Sequence, residues 1–215
     1  MMPRPYVVTS LKQLLVIASP GREDIIDAVG LIGPCTVTEL AHLVGRSRHA
    51  LYYHVGALRD CGLLVETRHS GEGRKPTARY DLPGRPLSVR YDLSSERAKR
   101  AVIALARTRL RSAARGFVLA CRPDVATVEG PRRNLWVARW KGWLSDRELE
   151  KVNGHLTKLV ELLKHDAGPS RAGRRPHEVT FALAPIVPKA PPTVSRRRRG
   201  RPARSAHVRR PLRIA

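Results

Sequence analysis

The stretch from Thr36 to Leu64, TVTELAHLVGRSRHALYYHVGALRDCGLL, admits few folds. Thr36 and Glu39 stand at capping-box spacing, so a helix is predicted to start near Val37, with Leu40, Ala41 and Val44 as its small apolar face. Gly45 tolerates the positive φ of a sharp turn. Ser47 can then cap a second helix, in which Leu51, Val55 and Leu58 recur at spacings of four and three and face inward. Gly62 comes next and suits a left-handed cap. Arg48, His49, Tyr52 and Tyr53 fall on or beside the opposite face. A fixed cation, a titratable ring and two phenols are unusual on a face meant only to be wet.

Two short helices across a tight turn make a helix-turn-helix, in which the first helix braces the second and the second enters a major groove. The segment after Gly62 sharpens this. Leu63 to Arg68 reads as a strand, Ser70-Gly71-Glu72-Gly73 as a turn, and Arg74 to Leu82 as a returning strand with Pro76 near an edge or bulge. A Gly-rich hairpin with basic arms behind a helix-turn-helix is a wing. The residue types suggest a division of labour for binding DNA. Ser47, Arg48 and His49 open the second helix within reach of base edges, and Tyr52 and Tyr53 can stack or bond phosphates. Arg59 lies too far down the helix to read bases and suits a phosphate or plain surface charge. On the hairpin arms, Arg68, Arg74, Lys75 and Arg79 suit phosphates or a minor groove. His54 divides between contact and a half-buried role holding the helix to the wing.

Upstream, residues 1–8 read as a loose lead. Ser10 can cap a helix of Leu11, Leu14, Leu15 and Ala18. Ser19-Pro20 opens another, a capping hydroxyl followed by proline at the first helical position. Glu23 and Asp24 sit in its first turn, and Gly33-Pro34 stops it.

Charge points to the partner. Lysine and arginine total 41 against 18 acids, a formal net charge of +23. Such an excess calls for a polyanion. Residues 196–215 hold nine arginines and no acid, so +14 remains on the first 195 residues. A winged helix reused only for protein contact would carry a neutral or acidic outer face instead. No apolar run is long enough for a membrane span, and the start lacks the apolar stretch of a signal peptide. Cys35, Cys61 and Cys121 do not pair closely and fit a reducing cytoplasm, near the nucleoid for a DNA-binding chain.

The run from Ser19-Pro20-Gly21-Arg22 through Leu64 resembles the ArsR-like winged helix-turn-helix regulators. The correspondence lies in Glu39-Leu40-Ala41 and Tyr53-His54-Val55, with Leu58, Gly62 and Leu63 following, and spans about residues 10 to 82. The resemblance implies a homodimeric transcription regulator, usually a repressor, on a two-fold operator in double-stranded DNA. The chain departs from metal-sensing relatives, which carry Cys-x-Cys or clustered His and acid ligands. Here Cys35 and His42 stand alone, and two ligands do not make a four-ligand site. A MarR-like regulator shares the winged fold and fits these residues as well.

Beyond Pro83-Gly84-Arg85-Pro86, Val89 to Leu93 reads as a short strand or linker. Ser94 caps a long helix to about Cys121, with Ala98, Val102, Leu105 and Phe117 as apolar contacts and a basic flank. A helix of this length suits dimerisation. Arg133 to Trp143 alternates like a strand, although Trp136, Trp140 and Trp143 also fit one helical face. Ser145 and Glu148 cap the clearest amphipathic helix, Leu149 to Leu163, and His177 to Leu183 alternates again. The tryptophans fill a core or line an effector pocket. From Pro185 the chain turns Pro- and Arg-rich and cannot bury enough apolar area to fold alone. Arg199-Gly200-Arg201-Pro202 resembles the core of an AT-hook, a minor-groove binder.

No Gly-rich phosphate loop or nucleophile elbow occurs, and the histidines do not cluster with acids. The reading is therefore a non-enzyme without cofactor or metal. Its fold is mostly α with small β: a winged helix-turn-helix domain over 1–86, a linker and dimerisation helix over 87–122, a small α/β dimerisation or effector module over 123–185, and a disordered basic tail over 186–215. An architectural DNA-binding protein of low sequence specificity is the alternative.

Overall fold

The computed structural model describes residues 4–69, 77–164 and 174–187. The fold is mostly α-helical. It runs β1 (Tyr6–Val8), α1 (Leu11–Ile17), α2 (Pro20–Ile32), α3 (Val37–Val44), α4 (Arg48–Asp60), β2 (Val65–His69), β3 (Thr77–Asp81), β4 (Leu87–Val89), α5 (Glu96–Ala120) and α6 (Asp146–Lys164). No helix among the described residues is long and apolar enough to cross a membrane.

The capping chemistry forms as its spacing predicts. The Thr36 hydroxyl accepts from the Glu39 amide at 3.2 Å, and the Glu39 carboxylate accepts from the Thr36 amide at 2.6 Å. Gly45 takes φ 67° and turns the chain out of α3. At the end of α4, Gly62 takes φ 72°. The Leu63 amide reaches back to the Leu58 carbonyl and the Gly62 amide to that of Arg59, each at 2.9 Å, which is a Schellman closure. Leu58 and Leu63 are both fully buried, so the closure is also a hydrophobic lock.

One core joins these elements. Leu14 and Ile17 from α1, Ile25 and Val29 from α2, Leu40 from α3, and Leu51, Val55 and Leu58 from α4 pack with Leu63, Leu64 and Tyr80. Cys35 lies in this core and bridges Tyr80 through paired backbone hydrogen bonds of 3.0 and 2.7 Å. The β2–β3 hairpin is thereby anchored to the start of the helix-turn-helix. Burial pushes the Cys35 thiol up to about 11, as suits an inert core side chain.

One feature of the N-terminal region differs from the sequence expectation. Residues 6–8, read as part of a loose lead, form β1, which pairs in parallel with β4 (Tyr6 opposite Leu87, Val8 opposite Val89). The β4 strand, Leu87–Val89, falls just before and at the start of the stretch read as a short strand or linker. Gly84 makes this return feasible: a Cβ there would stand 2.2 Å from the Arg4 carbonyl oxygen. Gln13 adds a tie, donating to the Tyr6 hydroxyl and to the Cys61 carbonyl, both at 2.8 Å.

The first half of α5 docks on this body through Ala98, Ala101, Leu105 and Thr108, and no α5 residue beyond Thr108 is buried. Arg109 donates to the buried Glu23 at 2.6 Å. The α6 helix forms where its periodicity predicts, with Ser145 and Glu148 reproducing the capping box. The strands expected over 133–143 and 177–183 are absent, and both segments lack regular structure. Alternation makes a strand only where a neighbouring strand completes its ladder, and the described residues offer none there. Residues 181–187 form the described part of a second unit that begins at Phe181. The expected wing turn (70–73), Pro76 and the hook-like Arg199–Pro202 lie outside the described residues.

Candidate nucleic-acid interface

Helix α4 has two faces. Leu51, Val55 and Leu58 are sealed into the core. On the other side Arg48, His49, Tyr52 and Tyr53 are exposed, the tyrosines by 59% and 72%. Positions 48, 49, 52 and 53 share one stripe because residues four apart stack along a helix. Ser47 caps the helix by accepting from the Ala50 amide at 3.3 Å, so its hydroxyl is partly committed to the fold. Gly56 continues the stripe by one turn, and among the described residues a Cβ there would meet nothing beyond its own helix turn within 4 Å. Packing within the chain therefore does not require this glycine, which no helical periodicity singles out.

His54 resolves toward structure. It is half-buried, edge-on to Tyr53 with ring centroids 5.5 Å apart. Its neighbours include Gly21 and Arg46, so it braces α4 against the start of α2. Burial, followed by the Arg22 and Arg46 guanidiniums, holds the imidazole below its usual range. Arg46, also unpredicted as a site residue, sits in the turn and pairs with Asp24 at 3.4 Å. Its position beside Gly45 was the available signal.

The cations expected to meet phosphate divide. Arg59 is engaged by its own chain, 3.1 Å from Asp60 and 3.3 Å from Glu66, and these carboxylates raise its pKa further. Arg79 donates to the Pro34 carbonyl at 2.6 Å and lies 3.5 Å from Glu39, strapping β3 to the entry of α3. Arg68 stands in β2 opposite Ala78. Arg74 and Lys75 lie outside the described residues. The structure thus brings Ser47, Arg48, His49, Tyr52 and Tyr53 together and gives Arg59 and Arg79 intrachain partners.

A tight two-helix unit on a third helix, closed by an antiparallel hairpin, has one name. This is a winged helix-turn-helix. No protein-family model and no curated protein matches the chain. Among solved structures, Rv1404 from Mycobacterium tuberculosis is similar at 13% identity, over 74% of this chain and 84% of that one, with a TM-score of 0.27. The MarR family transcription regulator SP03579 is similar at 15% identity, over 73% and 82%, with a TM-score of 0.29. Pex from Synechococcus is similar at 21% identity, over 49% and 86%, with a TM-score of 0.25. Superpositions this loose carry no weight here, and the winged fold rests on the chain's own elements.

Proposed function

We propose that this chain is a homodimeric, sequence-specific regulator of transcription that binds double-stranded DNA, of the repressor type, and performs no chemistry. One observation carries the reading: α4 buries one face and presents Arg48, His49, Tyr52 and Tyr53 on the other. In this account α4 enters the major groove, with Arg48 and His49 at base edges and Tyr52 and Tyr53 against bases or phosphates. The wing arms carrying Arg68, Arg74 and Lys75 anchor to backbone, and the arginines after residue 195 add non-specific attraction. Residues 87–122 serve as linker and dimerisation helix, and 123–185 as a further dimerisation or effector region. The setting is the cytoplasm, at the nucleoid.

A second reading, an architectural protein with little sequence preference, is favoured by the nine arginines after residue 195. Selection of random duplex DNA at two salt concentrations, with the full chain and with one ending at Pro185, separates the two. A shared palindromic motif from both supports the regulator. Recovery of no motif, with binding that fades when salt is raised or the tail removed, supports the architectural reading. Within the first reading, Arg48→Ala relaxes base preference by about 1–3 kcal/mol at one position of each half-site. Equal loss of affinity for every sequence would refute that assignment.

A further inference from the structure

All the tryptophans of the chain stand in one stretch, RRNLWVARWKGWL, from Arg132 to Leu144. Arg132, Arg133, Arg139 and Lys141 are interleaved with them, and no acid occurs between Glu129 and Asp146. This arm has no regular structure and fills no core: Trp136 is 66% exposed, Trp140 91% and Trp143 101%. It is nevertheless held at both ends. The Asn134 side chain accepts from the Thr127 amide at 2.7 Å and donates to the Val125 carbonyl at 3.2 Å. At the other end Ser145 caps α6, its hydroxyl accepting from the Glu148 amide at 3.4 Å. The rings ride on a short bridge between two pinned points, which lowers the ordering cost of binding.

The ring faces are open. Among the described residues no aromatic ring stacks on a tryptophan, and the Arg133 guanidinium lies 3.8 Å over Trp136. That contact displays the available mode, a flat delocalised group laid against an indole. The cations are also unspent. Arg59, Arg79, Arg109 and Arg122 pair with carboxylates of their own chain, whereas no ion pair among the described residues engages Arg132, Arg133, Arg139 or Lys141.

Cations alone would make a solvated surface. Interleaved with open indoles, they match a strand that offers phosphates and free base faces together. A duplex keeps its base faces inside its own stack. A lipid surface is met by the apolar face of a helix, and this arm is not helical.

We infer that residues 132–143 are a binding site for unpaired nucleotides, of DNA or RNA, with little base preference. Trp136, Trp140 and Trp143 stack on bases, Arg132, Arg139 and Lys141 hold phosphates, and Arg133 backs Trp136 from the opposite face. The site is separate from α4 and stands whether or not that helix reads a specific sequence.

With no tryptophan elsewhere, indole emission reports this arm alone. Titrating the full chain with oligothymidylate, oligouridylate and a mixed-sequence duplex tests the site. Both single strands quench the emission, and the duplex leaves it nearly unchanged. Quenching by one sugar type only supports the site and restricts it to that strand. Affinities of variants follow from the anisotropy of labelled oligonucleotides at elevated salt, where the arginine tail contributes least. Trp140→Ala with Trp143→Ala weakens single-strand binding by about tenfold or more, with duplex affinity and the thermal transition kept. Trp140→Phe with Trp143→Phe restores most of the loss. Emission unmoved by either strand, or a double-alanine variant that binds both strands as tightly, overturns the site. Equal quenching by the duplex makes the arm a duplex contact instead. A blue shift with phosphatidylglycerol vesicles, without quenching by the oligonucleotides, gives the arm to a membrane.

Discussion

The body formed by β1 through β4 and the stretch from Cys121 to Lys164 solve opposite problems with similar residues. In the body, most leucines and isoleucines enter one core, with Leu15, Leu31 and Leu43 left exposed, and the β2–β3 hairpin is tied in through Cys35 and Tyr80. In the later stretch, Trp136, Trp140 and Trp143 and the leucines at 144, 149, 162 and 163 remain exposed, and Leu156 and Leu159 are only partly covered. The body's large apolar residues mostly pack against one another. In α6 and its arm no residue is buried, and Trp140, Trp143, Leu162 and Leu163 stand exposed among the described residues.

The largest expected effect tests that contrast directly. Leu51→Ala opens a cavity at the centre of the body and lowers unfolding stability by about 2–5 kcal/mol at any protein concentration. Leu156→Ala leaves the body's unfolding unchanged. Chemical denaturation distinguishes them. Equal losses in both variants would mean that α6 belongs to the core.

A smaller effect concerns how α5 is fastened to the body. Glu23 is 4% exposed, pairs with Arg109, and leaves its second carboxylate oxygen, Oε2, buried without a hydrogen bond. Burial raises its pKa, against the pull of Arg109, and Asp24 and Glu178 add to the rise. A carboxyl with a raised folded pKa binds more protons folded than unfolded. Stability from this group is therefore present below the unfolded value of about 4.3 and falls as pH rises through the folded one. Glu23→Gln flattens this slope in thermal melts collected across pH 4 to 8. Glu23→Ala also strands Arg109, which is 42% exposed, and costs about 1–2 kcal/mol at neutral pH. A slope unchanged in Glu23→Gln would assign the titration to a neighbour.

The contrast also explains what is legible in the sequence. Thr36 with Glu39, Gly45, Ser47 and Gly62 act over a few residues of backbone, so their spacing is their structure, and α3, α4 and the turn between them follow. β1 escapes such a reading because its partner β4 lies about 80 residues away, and three residues carry too little pattern to announce a strand. Around Trp136 and Phe181 the mismatch runs the other way: alternation is present and no partner strand lies among the described residues. The interface divides along the same line. Helical periodicity places Arg48, His49, Tyr52 and Tyr53 outward whatever the distant folding. The fates of Arg59 and Arg79 depend on where Glu66, Pro34 and Glu39 arrive in space, which no local spacing states.

The smallest effect sharpens the contrast within α4 itself, between the face that serves the fold and the face that serves a ligand. Gly56 costs helix stability, since glycine inside a helix is about 1 kcal/mol less favourable than alanine. Among the described residues, a methyl group there would meet nothing beyond its own helix turn within 4 Å. On folding grounds alone, Gly56→Ala stabilises the protein by up to about 1 kcal/mol. If the α4 face approaches DNA closely, the same methyl crowds the duplex, and stability and affinity move in opposite directions. Thermal melts beside duplex titrations with the selected motif measure both. A gain in stability with unchanged affinity would place Gly56 off the contact and confine the reading face to the helix start, from Arg48 to Tyr53.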